Sequence, residues 1–258
     1  MIDLYGMSSP NVRKVVIALE ELGLPYERHH VAVIRGRQFE PEFLALNPLG
    51  KVPVIIDHDG PGEACPIFES GAILIYLAET YGPQFLPATG PARWNVLKWL
   101  MVQMANIGPI FGQNSHFRLR AASEPYAAQR FRQTAAQLYR ILDKRLAEVP
   151  YLAGEAYSIA DMATYPWAAR YARRHGMRWE DLPALADWRD RIAARPAVIR
   201  AAEIIAEMGK HDTEDRLAAS PEEVDRYMWR HFPAPTAEEA GLFLDREEGK
   251  LVRPSVAP

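Results

Sequence analysis

The hydrophobic pattern of this chain changes character once, near residue 83, and that change limits the folds open to it. Before it, short apolar runs of strand length alternate with amphipathic stretches of helix length. After it, almost every apolar pattern has helical period. The first part opens with a strand over Ile2–Tyr5 and a helix over Pro10–Leu22, whose Val12, Val15, Val16 and Leu19 form one stripe and which Gly23 ends. A second strand is expected over Tyr26–Val33, a short helix over Pro41–Leu46, strands over Val52–Asp57 and Cys65–Phe68, and a helix over Ser70–Tyr81. The order β-α-β-α-β-β-α describes a small α/β layer.

Pro83, Pro87, Gly90 and Pro91 then read as a linker. Helices are expected over Arg93–Asn106, Pro125–Glu148, Ser158–Arg174, Leu182–Ala194 and Ala197–Met208, which together make a helical bundle. The division is therefore an α/β domain over 1–82, an all-α domain over 90–210, and an extension over 211–258. The extension carries Tyr227, Trp229, Phe232 and Phe243, aromatics costly to leave free, so it is expected to pack on the body near a cleft entrance.

With 48% apolar and 24% charged residues in 258, the chain is neither disordered, fibrous nor a coiled coil. A formal charge of −3 gives no footprint for nucleic acid. The lone cysteine, Cys65, excludes an internal disulfide framework and a multi-cysteine metal site. Its place before a strand suggests a small core hydrophobe. His58, His116, His175 and His211 lack metal-ligand spacing, so no metal is expected. Trp94, Trp99, Trp167 and Trp188 fit helical core positions, and Arg170, Arg173 and Arg174 a solvated helix face. The start, MIDLYGMSSP, has no basic segment followed by an apolar one, and the most apolar windows, Ala72–Ala78 and Val96–Ile110, are too short or too broken to span a bilayer. A soluble cytoplasmic protein without a membrane partner is expected.

Three short segments can carry chemistry. In Met7-Ser8-Ser9-Pro10-Asn11, Ser9 suits an N-cap and Pro10 the first helical position. The same turn also offers an anion site, where free N–H groups and the helix dipole favour a thiolate. Leu49-Gly50-Lys51-Val52-Pro53 is either a plain turn before a strand or a turn whose proline is cis and whose Val52 backbone pairs with an extended peptide ligand. In Phe68-Glu69-Ser70, Ser70 is either an N-cap or, with Glu69, a holder of a small zwitterion. Tyr5 reads as core or cleft wall.

Taken together, the strand with its Ser-Pro helix, Lys51-Val52-Pro53 and Glu69-Ser70-Gly71-Ala72-Ile73-Leu74 resemble the glutathione transferase family over residues 1 to about 210. Ser158-Ile159-Ala160-Asp161 resembles that family's structural capping box, so Gly154 and Asp161 are not read as catalytic. Ser8-Ser9-Pro10-Asn11, Gly36-Arg37-Gln38-Phe39 and Gly108-Pro109-Ile110-Phe111-Gly112-Gln113-Asn114-Ser115-His116-Phe117 are similar to the bacterial Nu-class branch, which includes glutathione-dependent disulfide-bond oxidoreductases. The last segment is expected to join two helices and face the cleft, either as a shaped loop or in direct substrate contact.

The resemblance implies a thioredoxin-like N-terminal domain, an all-α helical-bundle C-terminal domain, and a homodimer. It implies that Ser9 and Asn11 approach the glutathione sulfur, and that Gln38, Lys51, Val52, Pro53, Glu69 and Ser70 bind the glutathione peptide. Arg130 would reach glutathione across the dimer interface. Glutathione is then a co-substrate, bound as one molecule, as two, or as the oxidised dimer. The Met7–Asn11 turn has no cysteine, so the glutathione thiolate itself would reduce a disulfide. Transfer to a small electrophile or hydroperoxide uses the same thiolate, and a non-enzymatic glutathione-binding regulatory protein would keep the same site.

Overall fold

The computed structural model describes residues 1–119 and 125–228, together with the backbone of a two-strand ladder, Phe243–Leu244 against Leu251–Val252. Strand β1 (Ile2–Gly6) buries Ile2, Leu4 and Gly6 and half-exposes Asp3 and Tyr5, the alternation of a sheet with two unlike faces. Helix α1 (Pro10–Leu22) follows a three-residue turn. Ser9 accepts a hydrogen bond from the Val12 N–H at 3.2 Å, Pro10 supplies the first helical φ, and Gly23 closes the helix at φ 63°. Gly6 allows the close approach of α1, since a Cβ there would lie 2.8 Å from a Val12 methyl.

Strand β2 (Tyr26–His30) lies parallel to β1. Two 3₁₀ turns, Val33–Arg35 and Arg37–Phe39, lead to α2 (Pro41–Leu46). Strand β3 (Val54–Asp57) adds antiparallel to β1, and β4 (Pro66–Phe68) antiparallel to β3, giving the order β2-β1-β3-β4. Helix α3 (Ser70–Tyr81) completes the layer. Ile2, Leu4 and Ile55 pack with α1 and α3, while Phe43 of α2 covers Val31 and Val54 on the other face.

Next come α4 (Gly90–Val102), a π-turn (Gln103–Ile107) and α5 (Gly108–Leu119). Then follow α6 (Pro125–Leu146), α7 (Ile159–Tyr171), α8 (Pro183–Ala193), α9 (Pro196–Ala218) and α10 (Pro221–Tyr227). Helix α7 is the buried centre of this half. Its cap is reciprocal: Ser158 Oγ accepts from the Ala160 N–H at 3.3 Å, and Asp161 accepts from the Ser158 N–H at 3.1 Å. Asp161 also takes the Leu152 N–H and Trp188 Nε1–H, each at 2.9 Å, yet full burial still pushes its carboxyl up to about 6. One apolar cluster runs from Ile2 in β1 to Met208 in α9, so both halves share a core. Among the described residues no helix is long and apolar enough to cross a membrane.

Five expectations need correction. Gly90 and Pro91, read as linker, form the first turn of α4, where a proline needs no N–H partner. The Gly108–Phe117 segment is helical, running on without a break from the π-turn, where the Gly108 N–H donates to the Gln103 carbonyl and the local widening seats Pro109. Cys65 is exposed, since the edge strand β4 leaves no layer over the loop before it. Trp94 is 64% exposed, because α4 turns only Val96 and Leu100 fully inward. The helix expected to stop at Met208 continues to Ala218, so the segment after Lys210 begins inside α9. Of the extension's aromatics, Tyr227 is half-buried, while Trp229, Phe232 and the Phe243 side chain lie outside the described residues.

Candidate active site

The sheet register brings three of the expected segments to one end. Tyr5 pairs with Val54, and Val54 with Phe68. The exit of β1, the entry of β3 and the exit of β4 therefore lie side by side. Ser9, the Val52–Pro53 peptide and Glu69–Ser70 follow from those three strand ends. The Val52–Pro53 bond is cis. Lys51 is exposed, and its carbonyl accepts from Asn47 Nδ2 at 2.6 Å. Gln38 is 3% exposed and lies under Gly50, where a Cβ would come within 3.2 Å of the Gln38 carbonyl. Gln38 Oε1 has no hydrogen-bond partner among the described residues.

Glu69 occupies the N-cap position of α3 at φ 66°, a left-handed conformation that costs a non-glycine residue about 1–2 kcal/mol. Its side chain stands exposed at the end of the sheet. Ser70, one residue further, is the first helical residue rather than the cap. It is 3% exposed, and its Oγ accepts from Lys14 Nζ at 3.2 Å. Lys14 is itself 1% exposed and donates to Gln103 Oε1 at 2.6 Å and to Met104 Sδ at 3.4 Å. Burial lowers its ammonium to about 7, against a smaller opposing pull from Glu69.

At the first turn of α1, Ser9 Oγ accepts from Val12, which leaves its proton free to donate. Asn11 Oδ1 accepts from Trp167 Nε1 at 2.9 Å. That bond assigns the amide, so the Asn11 NH₂ is the end left to face a ligand. Trp167 packs over Gly112 and Gly108, where added Cβ atoms would sit 3.7 and 3.9 Å from its ring. The Gly-Pro-x-x-Gly segment thus bears on the site through Trp167, and none of its residues lines the cleft described next.

A cleft of about 520 Å³ opens beside this turn. It is lined by Ser8, Ser9, Arg170, Tyr171, Asp212 and Arg216, with Tyr227 of α10 at its edge. Its size suits a small-molecule substrate. Asp212 accepts from the Ser8 N–H at 2.9 Å and from the Ser8 hydroxyl. The structure brings only Ser9, of the expected site residues, into the cleft lining. Arg130 stands exposed on α6, away from that lining. Lys14, Trp167 and Asp212 were missed. Lys14 carried a signal, because Ile17 and Ala18 on its side of α1 mark a buried face. Asp212 carried none, lying 204 residues from its partner.

The chain's relatives agree with this geometry. Residues 8–80 match the glutathione S-transferase N-terminal domain, and residues 79–196 the glutathione S-transferase C-terminal domain. The sequence is 44% identical over 201 residues to disulfide-bond oxidoreductase YfcG of Escherichia coli strain K12, covering 76% of this chain and 92% of that protein. A glutathione transferase family member from Pseudomonas fluorescens Pf-5, crystallised with two glutathione bound, superposes with a TM-score of 0.72 at 41% identity, over 78% of this chain and 91% of that one. A glutathione transferase from Pseudomonas putida, with one glutathione disulfide bound per subunit, has a TM-score of 0.72 at 38% identity, over 78% and 90% of the two chains. Strand-end geometry, a capped α1 beside an open cleft, a shared core and these likenesses converge: the chain belongs to the glutathione S-transferase family.

Proposed function

We propose that this protein is a glutathione-dependent disulfide-bond reductase in which glutathione's own sulfur is the nucleophile. The α1 N-terminus carries the reading. Its first turn offers the Ser9 hydroxyl, the Asn11 amide and the helix dipole beside an open cleft, and the turn holds no thiol of the chain. Cys65, exposed in the loop before β4, has no part in the reaction. The likeness to YfcG, a disulfide-bond oxidoreductase, supports this activity, and the neighbours with two glutathiones or one glutathione disulfide support a cleft that admits both.

Gln38, Lys51, Val52, Pro53, Glu69 and Ser70 hold the first glutathione along the sheet end. Ser9 and Asn11 donate to its sulfur and lower the thiol pKa. The thiolate attacks one sulfur of the substrate disulfide, forming a mixed disulfide and expelling the other sulfur as a thiolate, which takes up a proton. A second glutathione thiolate attacks the mixed disulfide at the glutathione sulfur. Oxidised glutathione forms, the second substrate thiolate leaves, and two electrons have passed from two glutathiones to the disulfide.

The protein works as a homodimer of the Nu branch in the cytoplasm. Exposed Trp94 and Met101 on α4 and Tyr126 on α6 supply apolar surface for a twofold contact. Arg130, one helical turn beyond Tyr126, then serves the other subunit's cleft.

The test is reduction of a small mixed disulfide by glutathione, with the product recycled by glutathione reductase. Ser9→Ala and Asn11→Ala should each slow turnover up to about tenfold, the worth of one neutral hydrogen bond. Cys65→Ala should leave it unchanged. Loss of turnover in Cys65→Ala with silent Ser9→Ala and Asn11→Ala would replace this mechanism with a protein-cysteine relay.

A further inference from the structure

We propose that Lys14 is a positioning residue for the bound peptide: by donating to Ser70 Oγ, it turns that hydroxyl's proton outward to a glutathione carboxylate at the start of α3. The inference rests on the reading of Ser70 as a glutathione contact. An ammonium has three donors and no acceptor. Its three neighbours here, Ser70 Oγ, Gln103 Oε1 and Met104 Sδ, therefore all accept. With its oxygen engaged from behind, Ser70 must donate elsewhere. The nearest protein acceptor is Met104 Sδ at 3.8 Å, a weak one. A carboxylate in front of the helix end is the better acceptor, and the helix dipole favours it there.

The arrangement crosses the two halves of the molecule. Lys14 stands on α1 and Ser70 on α3, while Gln103 opens the π-turn after α4, held by the Gly108 N–H to its carbonyl. The charges facing α1 from its neighbours are mostly engaged elsewhere. From α9, Arg195 and Arg200 pair with Glu21 and Glu20, and on α1 itself Arg13 lies over Tyr165 of α7. Glu69 on the α3 side is the charged group that acts on Lys14. Once deprotonated, the amine becomes an acceptor, and Ser70 is free to turn its proton inward. Because burial brings that change to about pH 7, ligand affinity should fall as pH rises through neutrality.

The experiment measures binding of S-methylglutathione, which has no thiol to titrate, by calorimetry from pH 6 to 8.5. The wild type should lose affinity several-fold across this range. Lys14→Met should bind about tenfold more weakly at pH 6.5, with the pH dependence flattened, and in turnover the loss should appear in KM for glutathione rather than in kcat. Lys14→Met should add little to Ser70→Ala, because both act through one hydroxyl. Gln103→Glu, which keeps the acceptor and adds a charge that favours the ammonium, should move the loss of affinity to higher pH. Wild-type affinity and pH profile in Lys14→Met, or full additivity with Ser70→Ala, would overturn the proposal. Should Lys14→Met not fold, an unmoved profile in Gln103→Glu overturns it alone. A wild type that fails to bind S-methylglutathione at any pH would instead remove the glutathione reading, and this inference with it.

Discussion

The amide of Asn11 has two ends, and the protein occupies one of them. Trp167 Nε1 donates to the oxygen, so the NH₂ is the end left to donate. Trp167→Phe keeps the ring over Gly112 and removes only the donor. We expect the pKa of bound glutathione to rise and turnover near pH 7 to fall about two- to tenfold, the worth of roughly 0.5–1.5 kcal/mol. A pH–rate profile checks this; an unshifted acid limb would show that the amide needs no orienter. Lys14 makes a second prediction at this scale. Its ammonium falls from the ordinary 10.5 to about 7 on burial. Between those values the unfolded chain holds a proton that the folded chain does not, so stability rises with pH across that window. Lys14→Met removes the titrating group and should flatten that rise, and at pH 9 it should cost about 1–3 kcal/mol by leaving Gln103 Oε1 buried without its donor. Urea titrations at pH 6.5 and 9 read both effects. Ser9, Asn11, Glu69 and Ser70 could be singled out in the sequence because each sits at a strand-to-helix junction with local signals. Trp167 and Asp212 could not, because what matters about each is a partner more than 150 residues away.

Among the elements, α1 begins and ends where Ser9, Pro10 and Gly23 indicate, and α2 begins at Pro41, since those signals lie within a turn of the helix end. Helix α5 did not show itself, because Gly-Pro and a second glycine read as a loop until Trp167 is known to need the space. The end of α9 was likewise hidden. Its last turns are polar, and contacts distant in sequence, among them Ser8–Asp212 and the Arg28–Glu207 and His30–Asp215 pairs, account for their course. The capping box of α7 gives the prediction that belongs here. Asp161→Ala leaves the Leu152 N–H and Trp188 Nε1–H buried without acceptors and removes the acceptor of the Ser158 N–H from the capping box. The expected loss is about 2–5 kcal/mol, measured by chemical denaturation. A loss under 1 kcal/mol would mean that water replaces the carboxylate. Asp212→Asn, which keeps shape and removes charge, should weaken the hold on Ser8 by about 1–2 kcal/mol.

At the scale of the whole chain, α1 is enclosed by α3, α7 and α9, and the apolar cluster does not stop at the proline-rich connection near residue 83. Asn11–Trp167, Lys14–Gln103, Ser8–Asp212 and Glu21–Arg195 tie α1 and the turn before it to the helical half. We therefore expect one cooperative unfolding transition, with far-ultraviolet circular dichroism and tryptophan fluorescence coincident in urea, and no stable fold from residues 1–82 alone. Two separated transitions would show that the halves hold themselves independently. The Ser8–Asp212 bond also bears on how the protein is made. A ribosome adds residues at about 5–20 per second, so the 204 residues between these partners take about 10–40 s to emerge. Until its end the nascent Ser8–Ser9 turn lacks the acceptor that Asp212 supplies. The pocket beside the first helix is thus closed from the far end of the chain, late in synthesis, long after the turn it faces has formed.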